Sequence, residues 1–315
     1  MKETQMIKKF AVVLAAILCC NILGCGSREE GEKGTAATAA EDSGVNTEQK
    51  DEITIQGNRS SASVIPDPVW NTVDYSGYFQ GVQGCAVVFD SKEDEYQVYN
   101  EDMCYTQYSP CSTFKIVSTL IGLETGILTG PDSTMGYDNT NYPVKAWNKD
   151  LTLKEAFQSS CIWYFRKVLD QAGADEVQRQ LNELVYGNCD ISQWEGSGVN
   201  PQPQLNGFWL ESSLLISPME QVNMMSDIME GRSEYVSGET EILKELMLVQ
   251  ETDGHKIYGK TGSGNAGDGW FVGFQEYQGK YYYFAFYVRD ENAGGDGDKA
   301  EEIGINVLTE NQQTQ

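Results

Sequence analysis

The sequence predicts a mixed α/β (α+β) domain with one sheet, closed by strands drawn from opposite ends of the folded region. Two strand-like runs come early, at Gly84–Asp90 and Tyr96–Asn100. Three more close the domain, at Lys256–Ser263, Gly269–Gln275 and Lys280–Arg289. The intervening chain carries helix start signals and helical periodicity, which assigns it to a second, helical lobe. No internal repeat is visible.

The N-terminus stands apart from that domain. Lys8 and Lys9 precede an apolar run from Phe10 to Cys20, followed by Ile22-Leu23-Gly24-Cys25. The run is short for a membrane span and reads as the apolar part of an export signal. Its Ile-Leu-Gly-Cys end resembles the lipobox of bacterial lipoproteins. That resemblance implies cleavage after residue 24, lipidation of Cys25 and anchoring to the outer face of a bacterial membrane. A plain signal peptide with an incidental cysteine is the alternative. Residues 25–64 are rich in Gly, Ser, Thr, Ala, Glu and Asp. Such a stretch buries too little apolar surface to offset the entropy of ordering, so it reads as a flexible tether. The tether is acidic and is not a polybasic membrane-binding segment. The folded domain is assigned to residues 65–312.

Within the domain, Gly84–Asp90 and Tyr96–Asn100 read as strands paired across the acidic turn Ser91–Glu95. Ser112 to Thr125 is apolar at Phe114, Ile116, Val117, Leu120, Ile121 and Leu123. A helix apolar nearly all round belongs in the middle of a domain. Thr152 and Glu155 form a capping box for a helix running to about Ala172. Ser217, Pro218 and Glu220 open another through Met229. The aromatic run Tyr281 to Val288 suits a sheet, and Lys299 to Leu308 is an amphipathic helix packed on it.

Charge and cysteines narrow the function classes. The formal net charge is −25, and an acidic surface repels phosphate backbones, which argues against nucleic-acid binding. Cys85, Cys104, Cys111, Cys161 and Cys189 lie in the folded part, an odd number that leaves at least one thiol unpaired. Cys104 and Cys111 are the nearest pair for a disulfide, and small buried hydrophobes are the other reading. No spacing is Cys-x-x-Cys and no histidine accompanies these cysteines, so no metal site is expected.

The chemistry centres on Ser112-Thr113-Phe114-Lys115. On a helix this spacing puts hydroxyl and amine on one face, one turn apart, as a nucleophile and its base require. His255 is the one histidine of the chain, so a Ser-His-Asp relay would rest on a single candidate and lysine is the better base. Many helices match Ser-x-x-Lys by chance, with the lysine solvated. Here the serine follows the loop Tyr108-Ser-Pro-Cys, and the lysine sits in an apolar helix where an unpaired ammonium is expensive. Burial lowers a lysine's pKa and leaves a neutral amine able to take a proton. Lys260-Thr261-Gly262 follows on a strand. A lysine and a hydroxyl there can hold a substrate carboxylate, and glycine permits close backbone approach. Alone it would be an ordinary strand lysine. Ser-x-x-Lys together with Lys-Thr-Gly belongs to the signatures of β-lactamases and penicillin-binding proteins.

Further matches make the resemblance specific. Tyr108 to Ile116 resembles class D (OXA-type) β-lactamases and the related sensor domains of BlaR/MecR receptors. In the same order come Trp147 to Leu153, Ser160-Cys161-Ile162, Tyr186-Gly187-Asn188, Phe208-Trp209-Leu210-Glu211, Ile216 to Gln221, Tyr258 to Gly262 and Gly269 to Phe274. The resemblance covers roughly residues 70–308 and implies a serine β-lactamase/penicillin-binding-protein-like fold, with an antiparallel five-stranded sheet flanked by helices.

It also implies roles. Ser112 would form the acyl-enzyme. Lys115 would react with CO2, as bicarbonate supplies it, and serve as a carbamate general base, with no other cofactor. Trp209 would donate a hydrogen bond to that carbamate. Ser160 would relay a proton to the leaving nitrogen. The N–H groups of Ser112 and Ser263 would bind the oxyanion, and Lys260, Thr261 and Gly262 would sit at the substrate carboxylate. Ile162 stands where the family usually has valine and would tighten the wall around Lys115. Tyr186-Gly187-Asn188 is read as structural, a helix C-cap. No residue clearly supplies the carboxylate-binding arginine, Arg289 and Lys299 being the candidates weighed. The Glu-x-x-Leu-Asn element of class A enzymes is absent. The leading expectation is thus an exported, lipid-anchored class D β-lactamase that binds and hydrolyses β-lactams. The alternatives are a non-hydrolysing sensor, disfavoured by one short hydrophobic run and no room for a protease module, and a D,D-peptidase, disfavoured by Ile162 where Ser-x-Asn is usual.

Overall fold

The computed structural model describes residues 68–252, 254–290 and 296–310. The export segment 1–24, Cys25 and the tether 25–64 lie outside the described residues. The order is β1 (Val69–Thr72), α1 (Ser76–Phe79), β2 (Gly84–Asp90), β3 (Glu95–Tyr99), α2 (Glu101–Cys104), then a 3-10 turn (Cys111–Phe114) running into α3 (Lys115–Glu124). There follow α4 (Leu153–Gln158), α5 (Ile162–Ala172), α6 (Ala174–Glu183), α7 (Pro218–Met229) and α8 (Ser237–Met247). Strands β4 (Leu248–Thr252), β5 (His255–Ser263), β6 (Asp268–Tyr277) and β7 (Lys280–Arg289) precede α9 (Gly297–Glu310).

The strands form one sheet in the order β1-β3-β2-β7-β6-β5-β4, closed where β2 pairs antiparallel with β7. This is the joining of distant segments that the sequence predicts. The expected five strands become seven, and the sheet is mixed because β1 runs parallel to β3. The two additions are short edge strands whose apolar residues stay exposed, among them Trp70 and Val249. They carry no buried alternating face that periodicity could detect.

Both faces of the central strands are covered. Along β7, Tyr283, Ala285 and Tyr287 enter the core shared with the helical lobe, while Phe284, Phe286 and Val288 enter a second core under α1 and α9. The period of two places successive side chains on opposite faces, and burial on both faces explains the unbroken apolar run. α3 is buried from Lys115 to Leu123, as its all-round apolarity requires. Both capping boxes close: the Glu155 amide donates to Thr152 Oγ1 at 3.2 Å, and the Glu220 amide to Ser217 Oγ at 3.2 Å.

One expected helix is two. The segment from Thr152 to Ala172 breaks at Ser159–Cys161, where Ser160 takes a φ of 52°. The left-handed region is unfavourable for a residue with a Cβ, and the break carries Ser160 away from the helix surface. The five described cysteines are unbridged and mostly buried, so they act as small hydrophobes. Cys104 Sγ donates to the Tyr99 carbonyl at 3.2 Å. Tyr186-Gly187-Asn188 is structural: the Tyr186 amide caps α6 by donating to the Leu181 carbonyl at 2.9 Å, with Val185 and not the glycine as the left-handed cap residue. A Cβ on Gly187 would lie 1.9 Å from the Leu215 carbonyl oxygen, and Asn188 Oδ1 accepts from the Leu215 amide at 3.0 Å.

Strand β6 depends on one glycine. A Cβ on Gly273 would lie 1.9 Å from the Tyr258 carbonyl oxygen on β5. Gly273→Ala is expected to lower stability by about 3 kcal/mol through forced separation of two central strands. A urea unfolding midpoint equal to that of the parent protein, at unchanged slope, would contradict this.

Candidate active site

The turn carrying Ser112 is held from several sides. Cys111 sits at a φ of 50°, and its amide donates to the Trp209 carbonyl at 3.1 Å. Thr113 Oγ1 donates to the Pro110 carbonyl at 2.7 Å and accepts from Gln221 Nε2 at 2.9 Å. The first turn is therefore 3-10, and the α-helix proper starts at Lys115. This places Lys115 Nζ 2.8 Å from Ser112 Oγ.

Lys115 is 0% exposed, and no carboxylate pairs with it among the described residues. Burial, assisted by the charge of Lys260, pulls its ammonium down from the ordinary 10.5 to about 7. Desolvation disfavours the charged form of a lysine, so near neutrality a large share of the amine is unprotonated. Its lone pair then faces a hydroxyl.

Ser160 and Lys260 make a second pair. Lys260 Nζ donates to Ser160 Oγ at 2.6 Å and to the Thr261 carbonyl at 2.9 Å. Burial lowers the Lys260 ammonium to about 8, with Glu301 and Asp298 on α9 opposing the shift. Trp147 Nε1 donates to the Ser159 carbonyl at 2.9 Å and so supports the kink that presents Ser160. Ile162 opens α5 directly after it and is partly buried against the main core.

The edge of β5 completes the cleft. β4 pairs with His255 to Tyr258 and goes no further, so it leaves the outer edge from Gly259 to Ser263 uncovered. Gly262 is where that edge meets the Ser112 turn: a Cβ there would lie 3.1 Å from the Pro110 carbonyl oxygen and 3.3 Å from the Ser112 amide nitrogen. Thr261 and Ser263 meet the start of α9, where the Gly297 amide donates to Ser263 Oγ at 2.9 Å. Arg289 Nε lies 3.7 Å from Asp268, and Lys299 Nζ pairs with Glu302 at 3.1 Å. Both side chains are engaged with carboxylates.

Trp209 is buried against Phe114, ring centres 5.9 Å apart, and its Nε1 has no hydrogen-bond partner. A buried indole N–H without an acceptor is rare and asks for an explanation. Ser109, to which the sequence motifs assign no role, locks this tryptophan to the loop before Ser112. Its hydroxyl donates to the Trp209 carbonyl at 3.0 Å and accepts from the Glu211 amide at 2.8 Å. Glu211 in turn accepts from the Asn265 amide at 2.8 Å, just past the Lys-Thr-Gly strand. A serine before proline gives no sequence signal for such a role.

The structure thus gathers Ser112, Lys115, Ser160, Lys260 and Gly262 into one cleft, with Trp209 behind the Ser112 turn. The model of the penicillin binding protein transpeptidase domain matches residues 84–309. The regulatory protein BlaR1 of Bacillus licheniformis is 35% identical over 75% of this chain, which spans 38% of that receptor's length. The C-terminal domain of the Bacillus licheniformis BlaR penicillin-receptor superposes with a TM-score of 0.71 at 34% identity, covering 78% of this chain and 98% of that one. A class D β-lactamase from Bacillus subtilis gives a TM-score of 0.68 at 31% identity, covering 76% and 95%. By these matches the chain belongs to the penicillin-binding-protein transpeptidase family, and its relatives include both class D β-lactamases and BlaR/MecR-type sensor domains.

Proposed function

We propose that the protein hydrolyses β-lactams through an acyl-enzyme on Ser112, with residue 115 as general base. The observation that carries this reading is the orphaned Trp209 N–H beside the turn of a buried, partly neutral Lys115. Only a neutral amine adds carbon dioxide, and a buried donor without an acceptor suits the carbamate that would result. Once formed, a carbamate supplies a carboxylate-like base where burial excludes a free carboxylate.

The remaining steps use this chain's own groups. Ser112 Oγ attacks the lactam carbonyl carbon as its proton passes toward residue 115. The N–H groups of Ser112 and Ser263 receive the oxyanion. The C–N bond breaks, and Ser160, polarised by Lys260, hands a proton to the nitrogen and regains one from residue 115, which is left free to take a proton from the incoming water and pass it to the departing Ser112 oxygen. The uncovered edge of β5 aligns the substrate, with Lys260 and Thr261 near its carboxylate. Water then attacks the ester, and Ser112 is released. The likeness to BlaR favours a second reading, in which the ester persists and the protein reports β-lactam instead of destroying it.

Mixing the protein with a chromogenic cephalosporin separates the two. Sustained turnover that rises with added bicarbonate and is lost in Lys115→Met is expected. A stoichiometric burst that stops would establish the sensor. Because Lys115 must be unprotonated, activity is expected to fall as pH drops through about 7. A pH profile flat from 5 to 8 would oppose this assignment.

Lys115 also lowers stability. Its folded pKa of about 7 lies below the ordinary 10.5, so the unfolded state binds the extra proton between those values. The penalty grows as pH falls from 10.5 and is complete below about 7. Lys115→Met is therefore expected to raise the unfolding free energy by on the order of 2 kcal/mol near pH 7, with the gain shrinking toward pH 10. Equal stability of both proteins at pH 7 in denaturant titrations would refute it.

Export and lipidation at Cys25 are proposed on the Ile-Leu-Gly-Cys pattern. In bacteria expressing the full chain, metabolic labelling with a fatty acid is expected to mark the protein. The same label on Cys25→Ser would reject the assignment.

A further inference from the structure

Arg166, on α5, lies outside the assembled cleft and is 6% exposed. Its Nε donates to the two Asp170 oxygens at 2.9 and 3.0 Å. Nη1 donates to the Trp194 carbonyl at 3.0 Å and the Asn206 carbonyl at 3.3 Å, and Nη2 donates to Glu195 Oε2 at 2.9 Å. A buried guanidinium persists only when its donors are met. Here one planar group joins the start and the end of the segment from Trp194 to Asn206. A lysine's single nitrogen could not reproduce that fork.

The pinned segment ends against Trp209. Asn206 closes its last turn, with Nδ2 donating to the Asn200 and Gln202 carbonyls at 2.8 and 3.1 Å. Gly207 follows, and a Cβ there would lie 2.2 Å from Trp209 Cζ3, so the indole rests directly on this backbone. Gly196, at a φ of 76°, supports Gly207 from the other side, where a Cβ would lie 2.5 Å from the Gly207 nitrogen. Trp194 stacks on Phe208 with ring centres 5.1 Å apart. Contacts therefore run without a gap from guanidinium to Asn206 carbonyl, to Gly207, to indole.

The geometry points to Arg166 as a positioning residue: by pinning the 194–206 loop it holds the Trp209 indole in place and thereby sets the affinity of Lys115 for carbon dioxide. This rests on the reading of residue 115 given under Proposed function. Arg166 touches neither substrate nor Lys115 and acts through the backbone that the indole leans on. Groups at this remove alter ligand affinity by about 10- to 100-fold in comparable sites.

The test titrates 13C-bicarbonate into the full chain at fixed pH and follows the carbamate carbon by NMR, with near-ultraviolet circular dichroism as the check on folding. Arg166→Met is expected to raise the bicarbonate concentration for half-maximal signal by about tenfold or more. Asp170→Asn, which loosens the fork and keeps the guanidinium, is expected to give an intermediate shift and carries the test if Arg166→Met does not fold. Excess bicarbonate is expected to restore the signal in both variants, which a merely unfolded site would not allow. Folded variants with the parent's half-saturation would overturn the role of Arg166 and leave the base assignment standing. A parent protein with no carbamate signal at saturating bicarbonate would overturn both.

Discussion

The structure depends on an amine buried beside a hydroxyl, with no counterion among the described residues. Lys115 is enclosed by an apolar helix and by aromatic rings, Phe165 among them, 5.7 Å from Nζ. Such a group is tolerated because it can give up its proton, which removes the cost of a buried charge. Other features of the cleft preserve that arrangement. The 3-10 turn fixes the distance to Ser112, the Lys260 charge keeps the amine's proton loosely held, and the Trp209 loop closes the turn from behind.

Legibility in the sequence followed the range of the interactions. Capping boxes and strand alternation act over a few residues, so α4, α7 and the central strands could be read directly. The pairing of Ser112 with Lys115 was legible for the same reason, being one turn apart. The kink at Ser160 was not, since a capping box and continuing apolar periodicity describe one helix through it. What breaks that helix is tertiary: the Ser159 carbonyl is held by Trp147 and the Ser160 hydroxyl by Lys260. The edge strands escaped because their ladders are set by a neighbour and not by their own burial. Arg166 escaped because arginine on an amphipathic helix ordinarily faces water, and its partners are up to 40 residues away.

A hydrolase and a sensor can share everything described up to the ester on Ser112. They differ in whether a water reaches that ester with a competent base beside it. Identity to both kinds of relative is nearly equal, at 34% and 31%, as expected when the scaffold serves the common first step.

The sheet joins strands from the beginning and end of the domain, and the cleft lies along β5, on the late side of that join. Ser112 and Lys115 come from one part of the chain and Lys260 from another, far later in synthesis. Until the two parts of the chain meet, Lys115 lacks the Lys260 charge that, together with burial, lowers its pKa. The lowered pKa is therefore a property of the finished molecule alone: a half-assembled chain carries the same side chain as an ordinary solvated amine.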